Sequence, residues 1–496
     1  MYLLAHDLGT SGNKATLFRE DGALVASTLC EYPTLYPGEG QVEQDPAGWW
    51  RAVCQSTREL LEKSGIRPDD IAAISFSGQM MGCLLVDQAG ESLGNALIWA
   101  DTRGWAQEEW MIRQAGMQQG YAITGHRLSA SYGAAKLLWI RDHQPERYRR
   151  AHRMINAKDF ILYRMTGRFV TDYSDASSTN LFDLKEKRWS RMLLDAFGID
   201  PALMPEVYPS ATVVGGLMDS AADALGLIAG TPVVIGGGDG SCACVGAGAV
   251  APGDAYCALG SSSWISTVSS EPVMDPLMRT FNWVHLDPAW YTPCGTMQAA
   301  GLSYQWFCKR IVEEENYRRL NSLAESSPPG ANGVMYLPYL LGERSPWWDL
   351  SARGAFIGLS GSTTPGDMAR AVMEGVGFNL KMILDILQGT LPLRQLTVIG
   401  GGAESPVWMQ ILADIWRQSL RLVTSPREST SMGAAVCAGV AIGMYPDFSA
   451  VKLFDREKDT VVSRKQPVYQ ELAQVFEAAC EGLARANELL AAIRRG

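Results

Sequence analysis

Short, almost continuous apolar runs alternate with amphipathic stretches along this chain. Residues 2–6 and 71–76 are apolar runs of strand length, which predicts buried β-strands. Residues 15–18 and 23–26 are two shorter apolar runs on either side of an Asp-Gly pair, which predicts a β-hairpin. The chain is therefore expected to begin with a strand followed by a hairpin.

An amphipathic helix is predicted after the hairpin. Asp45 is a typical N-cap, and Pro46 suits the first helical position. Trp49 and Val53 belong to an apolar stripe of helical spacing, and Gly65 follows the last turn. Strands with intervening helices are typical of layered α/β proteins, so we predict that fold class.

The second half of the chain repeats the order of elements seen at the start. Residues 254–259 predict a strand that meets a turn of glycine and serine at 260–263, and residues 264–268 predict the next strand. A further strand at 395–399 ends in three glycines and precedes an amphipathic helix. This short echo points to a duplicated domain.

A chain of 496 residues is long enough for two or three domains. Small residues and Pro252 interrupt the pattern between 246 and 253, so we place a boundary there. The predicted domains are residues 1–246 and residues 247–496. A hydrophobic content of 47% is that of a chain with large buried cores.

Charge and composition narrow the possible partners and compartments. The net charge is -10 without a Lys/Arg block, so we expect neither a nucleic-acid nor a membrane partner. No apolar run reaches the ~18 residues of a membrane helix, and the first residues do not resemble a secretory signal. The ten cysteines include one CxC, Cys242 and Cys244, without a second pair at zinc spacing. We expect reduced, buried cysteines in a cytoplasmic protein.

One carboxylate stands alone among small residues. Residues 233–235 predict a buried strand, and three glycines then lead to Asp239. A Gly-Asp-Gly stretch is most often only a turn. However, an acid just past a strand end often lines a crevice in an α/β protein, and its small neighbours would leave room for a substrate.

Three turns rich in glycine and hydroxyl residues are predicted at strand ends, at residues 7–12, 260–263 and 400–403. Backbone N–H groups in such turns can bind phosphate oxygens, although a single turn of this kind is more often only a turn. The GxxxxGK[ST] motif of P-loop proteins is missing. No GxGxxG opens a helix near the N-terminus, which disfavours a nicotinamide dehydrogenase.

These motifs carry a family resemblance. The stretch DLGTSGNK, residues 7–14, is similar to the first phosphate motif of the superfamily of sugar kinases, actin and Hsp70 ATPases. Within it, the chain resembles the FGGY carbohydrate kinases over nearly its whole length. One long family signature is matched by GAFIGL at 354–359 and DMARAVMEG at 367–375, and Lys136 and Trp139 match another.

Two further stretches indicate a branch of that family. SGQM at 77–80 and WADTR at 99–103 are most similar to the xylulokinase branch, and gluconate kinases also carry a WAD-type motif.

The resemblance implies an α/β fold of two RNase H-like domains, as in actin-like ATPases, with ATP and a sugar in the interdomain cleft. It implies that Asp239 is the catalytic base and that Asp7 and Asp239 position Mg²⁺. An aspartate with an ordinary pKa of ~3.9 is ionised at neutral pH and suits that role. The residues implied for the nucleotide are Gly9, Thr10, Ser11, Lys14, Gly260, Ser261, Ser262, Gly301, Gln305, Gly401, Gly402, Ala403 and Ser405.

The residues implied for the sugar are Gln79, Met80, Met81, Asp101, Arg103 and Asp239. Xylulokinases usually carry histidine where this chain has Met81. Losing a hydrogen-bonding partner leaves a sugar hydroxyl unpaired, so Met81 indicates either another acceptor or a gap that water or a neighbouring side chain fills. The alternative to sugar binding for Asp101 and Arg103 is a surface salt bridge between them. Trp347 and Trp348 either stack on a ligand or close the domain edge.

We therefore predict an ATP-dependent sugar kinase that phosphorylates a primary hydroxyl, with D-xylulose to D-xylulose 5-phosphate as the leading reaction. One alternative is an FGGY kinase for gluconate, ribulose, erythritol or another polyol. The other is a non-catalytic, actin-fold nucleotide-binding protein, against which Asp239 argues because binding alone needs no base. The resemblance implies a homodimer.

Overall fold

The computed structural model describes residues 1–314, 316–389, 391–454 and 457–495. The strands in the first half of the chain are β1 (Tyr2–Leu8), β2 (Gly12–Arg19), β3 (Leu24–Glu31), β4 (Leu35–Gly38), β5 (Gln41–Gln44), β6 (Ile71–Gly78), β7 (Leu84–Val86), β8 (Ala96–Leu97), β9 (Arg153–Ile155), β10 (Val170–Asp172), β11 (Phe182–Asp183), β12 (Arg188–Trp189), β13 (Glu206–Tyr208), β14 (Val213–Gly216), β15 (Pro232–Val234) and β16 (Gly237–Gly238). The helices there are α1 (Pro46–Ser64), α2 (Trp105–Ala115), α3 (Met117–Thr124), α4 (Gly133–His143), α5 (Pro145–Arg150), α6 (Ala157–Thr166), α7 (Tyr173–Ala176), α8 (Arg191–Phe197), α9 (Asp219–Leu225) and α10 (Asp239–Gly246).

The second half of the chain has a sheet and helices of its own. Its strands are β17 (Asp254–Leu259), β18 (Ser263–Thr267), β19 (Phe281–Val284), β20 (Tyr291–Met297), β21 (Met335–Leu337), β22 (Ala355–Ile357), β23 (Gln395–Ile399), β24 (Leu420–Val423) and β25 (Glu457–Val461). Its helices are α11 (Gly301–Trp306), α12 (Tyr317–Ser326), α13 (Pro365–Gln388), α14 (Pro406–Trp416), α15 (Ser429–Ala441), α16 (Val451–Phe454) and α17 (Val468–Arg495).

Two large mixed sheets organise the molecule, and we call the parts built on them the first and the second lobe. The first sheet has the order β14-β15-β6-β1-β2-β3, with β16 beside β6, and the second has the order β19-β20-β18-β17-β23-β24-β25. In the first, β1 is antiparallel to β2 and parallel to β6. In the second, β17 is antiparallel to β18 and parallel to β23. The repeated strand order expected from the sequence is thus a repeated topology, and the predicted two-domain α/β fold is confirmed.

Local signals in the first lobe give the elements that they predict. The predicted hairpin is formed by β2 and β3. Helix α1 is capped by Asp45, whose Oδ1 accepts the N–H of Ala47 at 3.0 Å. Gly65 ends the helix with a φ of 65° and donates its N–H to the carbonyl of Leu61 at 2.9 Å. These elements follow from capping and turn chemistry within a few residues.

The lone acid opens a helix rather than a turn. Asp239 is the first residue of α10, whose remaining residues are buried. This helix packs against α15, a helix from the second half of the chain that also lies on β1 and β6. A Cβ on Gly246 would stand 1.8 Å from the carbonyl oxygen of Ser429, and one on Gly433 would stand 2.0 Å from that of Cys242. The small residues after Asp239 therefore allow two helix backbones to touch where the lobes meet.

The chain passes from the first sheet to the second between Gly246, the end of α10, and Asp254, the start of β17. The predicted division at 246/247 falls at the start of this connection. Because α15 packs on the first sheet, the assignment of residues 247–496 to one domain stays a prediction.

Each lobe buries a large apolar core of its own. All ten cysteines are free thiols, and eight of them are buried, as expected from the sequence. Among the helices of the described residues, none combines the length and the apolar character that crossing a membrane requires.

Candidate active site

A cavity of about 730 Å³ lies between the two lobes. Met81 and Trp105 line it from the first lobe, and Trp264 and Arg344 line it from the second. Asp239 also faces this cavity, at the N-terminus of α10. The cavity therefore brings the predicted base together with side chains from both halves of the chain.

Asp239 is not an ordinary aspartate. Burial, and next the negative charge of Asp7, raise the pKa of Asp239 to about 7, although its Oδ1 accepts the N–H of Gly240 at 2.7 Å. The expectation of an ordinary pKa is therefore wrong. Asp7 is itself fixed from the second half of the chain, because the hydroxyl of Thr430 donates to its Oδ2 at 2.6 Å.

The glycines around Asp239 make room for protein rather than for a substrate. A Cβ on Gly238 would stand 2.5 Å from the Sδ of Met80, and one on Gly240 would stand 2.8 Å from the ring of Trp283. A Cβ on Gly236 would meet the backbone of β6 at 1.9 Å. The expectation of free space at these positions is wrong, because the glycines let Met80 and Trp283, which line the cavity, approach the turn.

Two of the three predicted phosphate turns have the same position and similar geometry in the two lobes. Gly9 lies between β1 and β2 and donates its N–H to the carbonyl of Gly12 at 3.0 Å. Gly260 lies between β17 and β18 and donates to the carbonyl of Ser262 at 3.0 Å. Thr10 and Ser262 line the cavity. The repeated topology thus presents two similar turns to one space.

The third turn lies beside the second because β23 runs parallel to β17. A Cβ on Gly401 would meet nothing within 4 Å, so open space lies over this residue. Gly402 packs on Leu259, where a Cβ would stand 2.5 Å from the side chain. Ala403 donates its N–H to the turn at 3.1 Å, and Ser405 caps α14.

The remaining residues predicted for the nucleotide lie close to these turns. Gly301 begins α11 and donates its N–H to the carbonyl of Gly260 at 2.9 Å, and the carbonyl of Ser261 accepts the N–H of Leu302. Gln305 lies half-buried on the same helix. Ser11, in the first turn, is exposed.

Lys14 contacts the start of α15. Its Nζ donates to the carbonyl of Arg427 at 2.7 Å and lies 3.1 Å from the carboxylate of Glu428. Because both partners come from the second half of the chain, Lys14 joins the two halves beside the first turn.

The residues predicted for the sugar separate into two groups. Met80 and Met81 line the cavity with Asp239. Gln79 lies behind them and donates to the side chain of Gln44 at 2.8 Å.

Asp101 and Arg103 form a buried ion pair at 2.7 Å and are not part of the cavity lining. Arg103 also lies 2.7 Å from Glu43, and Asp101 Oδ2 accepts the N–H of Val42 at 2.7 Å. The salt bridge named as their alternative is present, but in the interior.

Several lining residues carried no sequence signal of their own. Arg127 and Arg344 line the cavity, and the guanidinium of Arg127 lies 5.3 Å from the ring centre of Trp348. Trp348 therefore borders the cavity, whereas the indole of Trp347 donates to the hydroxyl of Tyr339 at 2.8 Å inside the second lobe. Arg127 and Trp348 are far apart in the chain and meet here only through the fold.

The site fits a magnesium nucleotide. A Cβ on Gly9 or Gly260 would meet only the carbonyl of its own turn, at 3.6 and 3.4 Å, which leaves the space over both turns open for phosphate oxygens. The residues that the structure describes contain no group of three metal-binding side chains. Mg²⁺ commonly takes one or two carboxylates and completes its shell with water and phosphate oxygens, so Asp7 and Asp239 suit it.

Two lobes of the same topology that turn glycine-rich loops towards one cavity define a two-domain protein of the actin-like ATPase class. Residues 2–246 match the N-terminal domain of the FGGY family of carbohydrate kinases, and residues 255–442 match its C-terminal domain. The chain belongs to the FGGY family of carbohydrate kinases and is an ATP-dependent sugar kinase.

Individual relatives cover almost the entire chain. It is 32% identical to the xylulose kinase of Bacillus subtilis (strain 168) over 480 residues, which are 96% of both chains. The crystal structure of ligand-bound xylulose kinase from Lactobacillus acidophilus superposes with a TM-score of 0.93, 28% identity and 99% coverage of both chains. The gluconate kinase from Lactobacillus acidophilus gives the same TM-score, identity and coverage.

Proposed function

We propose that this kinase phosphorylates a primary hydroxyl of a small ketose, converting D-xylulose to D-xylulose 5-phosphate with magnesium ATP. The observation that carries the proposal is the position of Asp239 on one cavity with Met81 and the first two phosphate turns. The xylulose kinase relatives support the choice of sugar.

In the proposed reaction, Asp239 accepts the proton of the sugar hydroxyl as that oxygen bonds to the γ-phosphorus and the bond to the ADP oxygen breaks. Magnesium ATP supplies the phosphoryl group and the positive charge that neutralises it. A base placed in this way contributes about 10²- to 10⁴-fold to the rate. Closure of the two lobes over the acceptor would exclude water, which would otherwise compete with the sugar.

The proposed nucleotide site uses the three turns together. N–H groups of Thr10 and Ser11 and of Ser261 and Ser262 bind phosphate oxygens, and Lys14 adds a positive charge at the first turn. Gly9 and Gly260 close the two turns with their own N–H groups and keep the space beside them open for the phosphates. Asp7 and Asp239 hold Mg²⁺. The adenosine lies along Gly301, Gln305, Gly401, Gly402, Ala403 and Ser405.

The proposed sugar site is formed by Met80, Met81 and Asp239, with Gln79, Asp101 and Arg103 in support behind them. A cytoplasmic homodimer completes the proposal. The free, mostly buried cysteines agree with a reducing compartment.

Replacing Asp239 with Asn tests the proposed base. We expect D239N to lose kinase turnover, measured as ADP release, while ATP still raises the melting temperature, because the amide keeps the shape but cannot take the proton. Asp219→Asn is the matched control, since Asp219 also begins a helix but is exposed outside the cavity. Near-normal turnover in D239N would exclude Asp239 as the base.

A sugar acid is the second candidate acceptor. Arg127 and Arg344 both line the cavity, and within the described part of the chain neither guanidinium forms an ion pair with a carboxylate. A carboxylate on the acceptor would find charged donors there. A panel of D-xylulose, D-ribulose, erythritol and gluconate separates the candidates. The xylulose proposal fails if kcat/KM is highest for gluconate and falls in Arg344→Met.

A further inference from the structure

Three serines follow β10 directly beneath the cavity and are fully buried. They are Ser174, Ser177 and Ser178, within the stretch YSDASST at 173–179. The Oγ of Ser174 accepts the N–H of Gly238 at 2.9 Å, and the Oγ of Ser178 accepts the N–H of Met81 at 3.1 Å. One short stretch thus reaches the backbone on both sides of the acceptor site.

The oxygen of Ser174 is held in one orientation. Its own proton goes to Asp172 Oδ2, which also accepts the hydroxyl of Ser210 at 2.8 Å. Asp172 Oδ1 lies 2.9 Å from the ammonium of Lys158, which is completely buried. With its proton committed to a fixed carboxylate, Ser174 can act only as an acceptor towards the N–H of Gly238.

The N–H of Gly238 belongs to the peptide between Gly237 and Gly238, so this contact fixes the backbone that leads directly into Asp239. The contact is close, because a Cβ on Gly237 would stand 3.0 Å from the Oγ of Ser174 and 2.3 Å from Leu286. A serine on one side and glycines on the other therefore set the position from which α10 starts.

Ser178 makes the corresponding contact on the other side of the site. Its hydroxyl donates to the carbonyl of Asp175 at 2.7 Å, which leaves its lone pair for the N–H of Met81. Met81 has a φ of 64°, a conformation that costs free energy for a residue other than glycine. Its carbonyl accepts the Nζ of Lys136 at 2.7 Å, so both of its backbone polar groups are held.

We infer that Ser174 and Ser178 are positioning residues with separate tasks: Ser174 sets Asp239 for proton transfer, and Ser178 sets Met81 against the acceptor. The inference deepens the proposed function, since it assumes that Asp239 is the base and that Met81 borders the sugar. Neither serine lines the cavity, so both act through the backbone.

Ser177 supplies a matched control. It lies in the same stretch and is equally buried, but its hydroxyl donates to the carbonyl of Ser174 at 2.6 Å, within the stretch. Its loss would remove a buried hydrogen bond without touching Gly238 or Met81. Comparing Ser174→Ala, Ser178→Ala and Ser177→Ala therefore separates positioning from general destabilisation.

Steady-state kinetics should distinguish the role of Ser174 from that of Ser178. We expect S174A to lower kcat by about 10- to 100-fold with little change in the KM of the acceptor, because a small displacement of the base has effects of this size. S178A should raise the acceptor KM by about 10-fold with kcat nearly unchanged. S177A should leave both within about 2-fold of the wild type, as expected for a residue that acts on neither side. Equal effects of all three variants on kcat and KM would overturn the inference.

Amide hydrogen exchange tests the same contacts without any acceptor. In S174A the exchange of the Gly238 N–H should accelerate, and in S178A that of the Met81 N–H, while S177A changes neither. Unchanged exchange at both positions would overturn the inference, whatever the activity of the protein. If the wild type phosphorylated none of the sugars tested, that result by itself would refute only the proposed function. If S174A does not fold, Ser174→Cys, of similar volume and weaker as an acceptor, replaces it. S174C should lower kcat and accelerate the Gly238 exchange relative to the wild type, and no change in either would overturn the inference.

Discussion

His126 is buried where the lobes meet, and its ring stacks on that of Phe281 with a centroid separation of 5.5 Å. Burial lowers the pKa of His126 to about 3. Burial likewise lowers the pKa of His6 to about 3 and, in the opposite direction for an acid, raises the pKa of Glu343 to about 8. At the residue scale, burial therefore decides the charge of these three side chains, and their pKa values lie far from the ordinary values of histidine and glutamate.

Because His126 is buried and uncharged, we expect the folding stability of the protein to depend on pH. In the folded protein His126 stays neutral from pH 7.5 to 5, whereas in the unfolded chain it gains a proton below about pH 6.5, so folding stability falls as the pH falls. His126→Gln removes this loss. When the pH is lowered from 7.5 to 5.0, the unfolding free energy of the wild type should fall by about 2 kcal/mol more than that of H126Q. Urea denaturation at the two pH values measures this difference.

His143 is the control for this prediction because it is exposed on α4. His143→Gln should track the wild type at both pH values. An unchanged difference between H126Q and the wild type would show that His126 takes up its proton in the folded protein.

At the scale of elements, the crossing of α10 and α15 links the two halves of the chain. Both helices are rich in small residues, and their contact faces are buried. The start of α15 also supplies Thr430 to Asp7 and Glu428 to Lys14. The same helix pair that joins the lobes therefore places polar groups beside the candidate active site.

The crossing predicts that one added methyl group destabilises the protein. Gly433→Ala would place a Cβ 2.0 Å from a backbone oxygen of α10, so we expect a loss of about 1–3 kcal/mol. Gly482→Ala in α17 is the control, because a Cβ there meets nothing within 4 Å and alanine favours a helix by about 1 kcal/mol. Melting temperatures should fall in G433A and rise or stay level in G482A. A G433A protein as stable as the wild type would contradict the close crossing.

At the scale of the whole molecule, two lobes of one topology bring separate turns to a common cavity. The first turn comes from one sheet, and the second and third from the other. In the proposed function a nucleotide binds across these turns, so it would contact both lobes and stabilise the folded state by mass action.

This arrangement predicts a variant that folds but does not bind the nucleotide. Gly401→Val points a branched side chain into the open space over the third turn, where a Cβ has no neighbour within 4 Å. We expect the melting temperature without ligand to stay close to that of the wild type. The stabilisation by ATP, about 2.7 kcal/mol at a hundred times the Kd, should be lost. Thermal melting with and without magnesium ATP checks both expectations.

Gly361→Val is the control for nucleotide binding, because Gly361 also has open space around its Cβ position but lies in the exposed loop before α13. It should keep the full response to ATP. If G401V also kept the response, the third turn would not border the nucleotide.

The sequence was sufficient for much of the fold. Asp45 and Gly65 delimit α1, and the Asp-Gly pair gives the β2–β3 hairpin, because caps and turns depend on a few neighbouring residues. The resemblance of its motifs indicated the FGGY family, which the family comparison confirms. The helix that begins at Asp239 was missed because small residues between two turns have little helical signal.

The candidate site was only partly accessible from the sequence. Met81, Asp239 and the turn residues were found because each carries a local motif. Arg344 and the serines beneath the cavity were not, although the stretch YSDASST is unusually rich in hydroxyl groups for a buried segment. Their partners lie far away in the chain, so no local pattern could assign them.

The sequence by itself determined several strands of the two large sheets, the capped helix α1, the family and the lone acid Asp239. Only the tertiary structure decided what surrounds that acid, because pKa and orientation depend on Asp7, Ser174 and Met80, which are distant in sequence and close in space. Local geometry is encoded by near neighbours, whereas electrostatics and packing act through space.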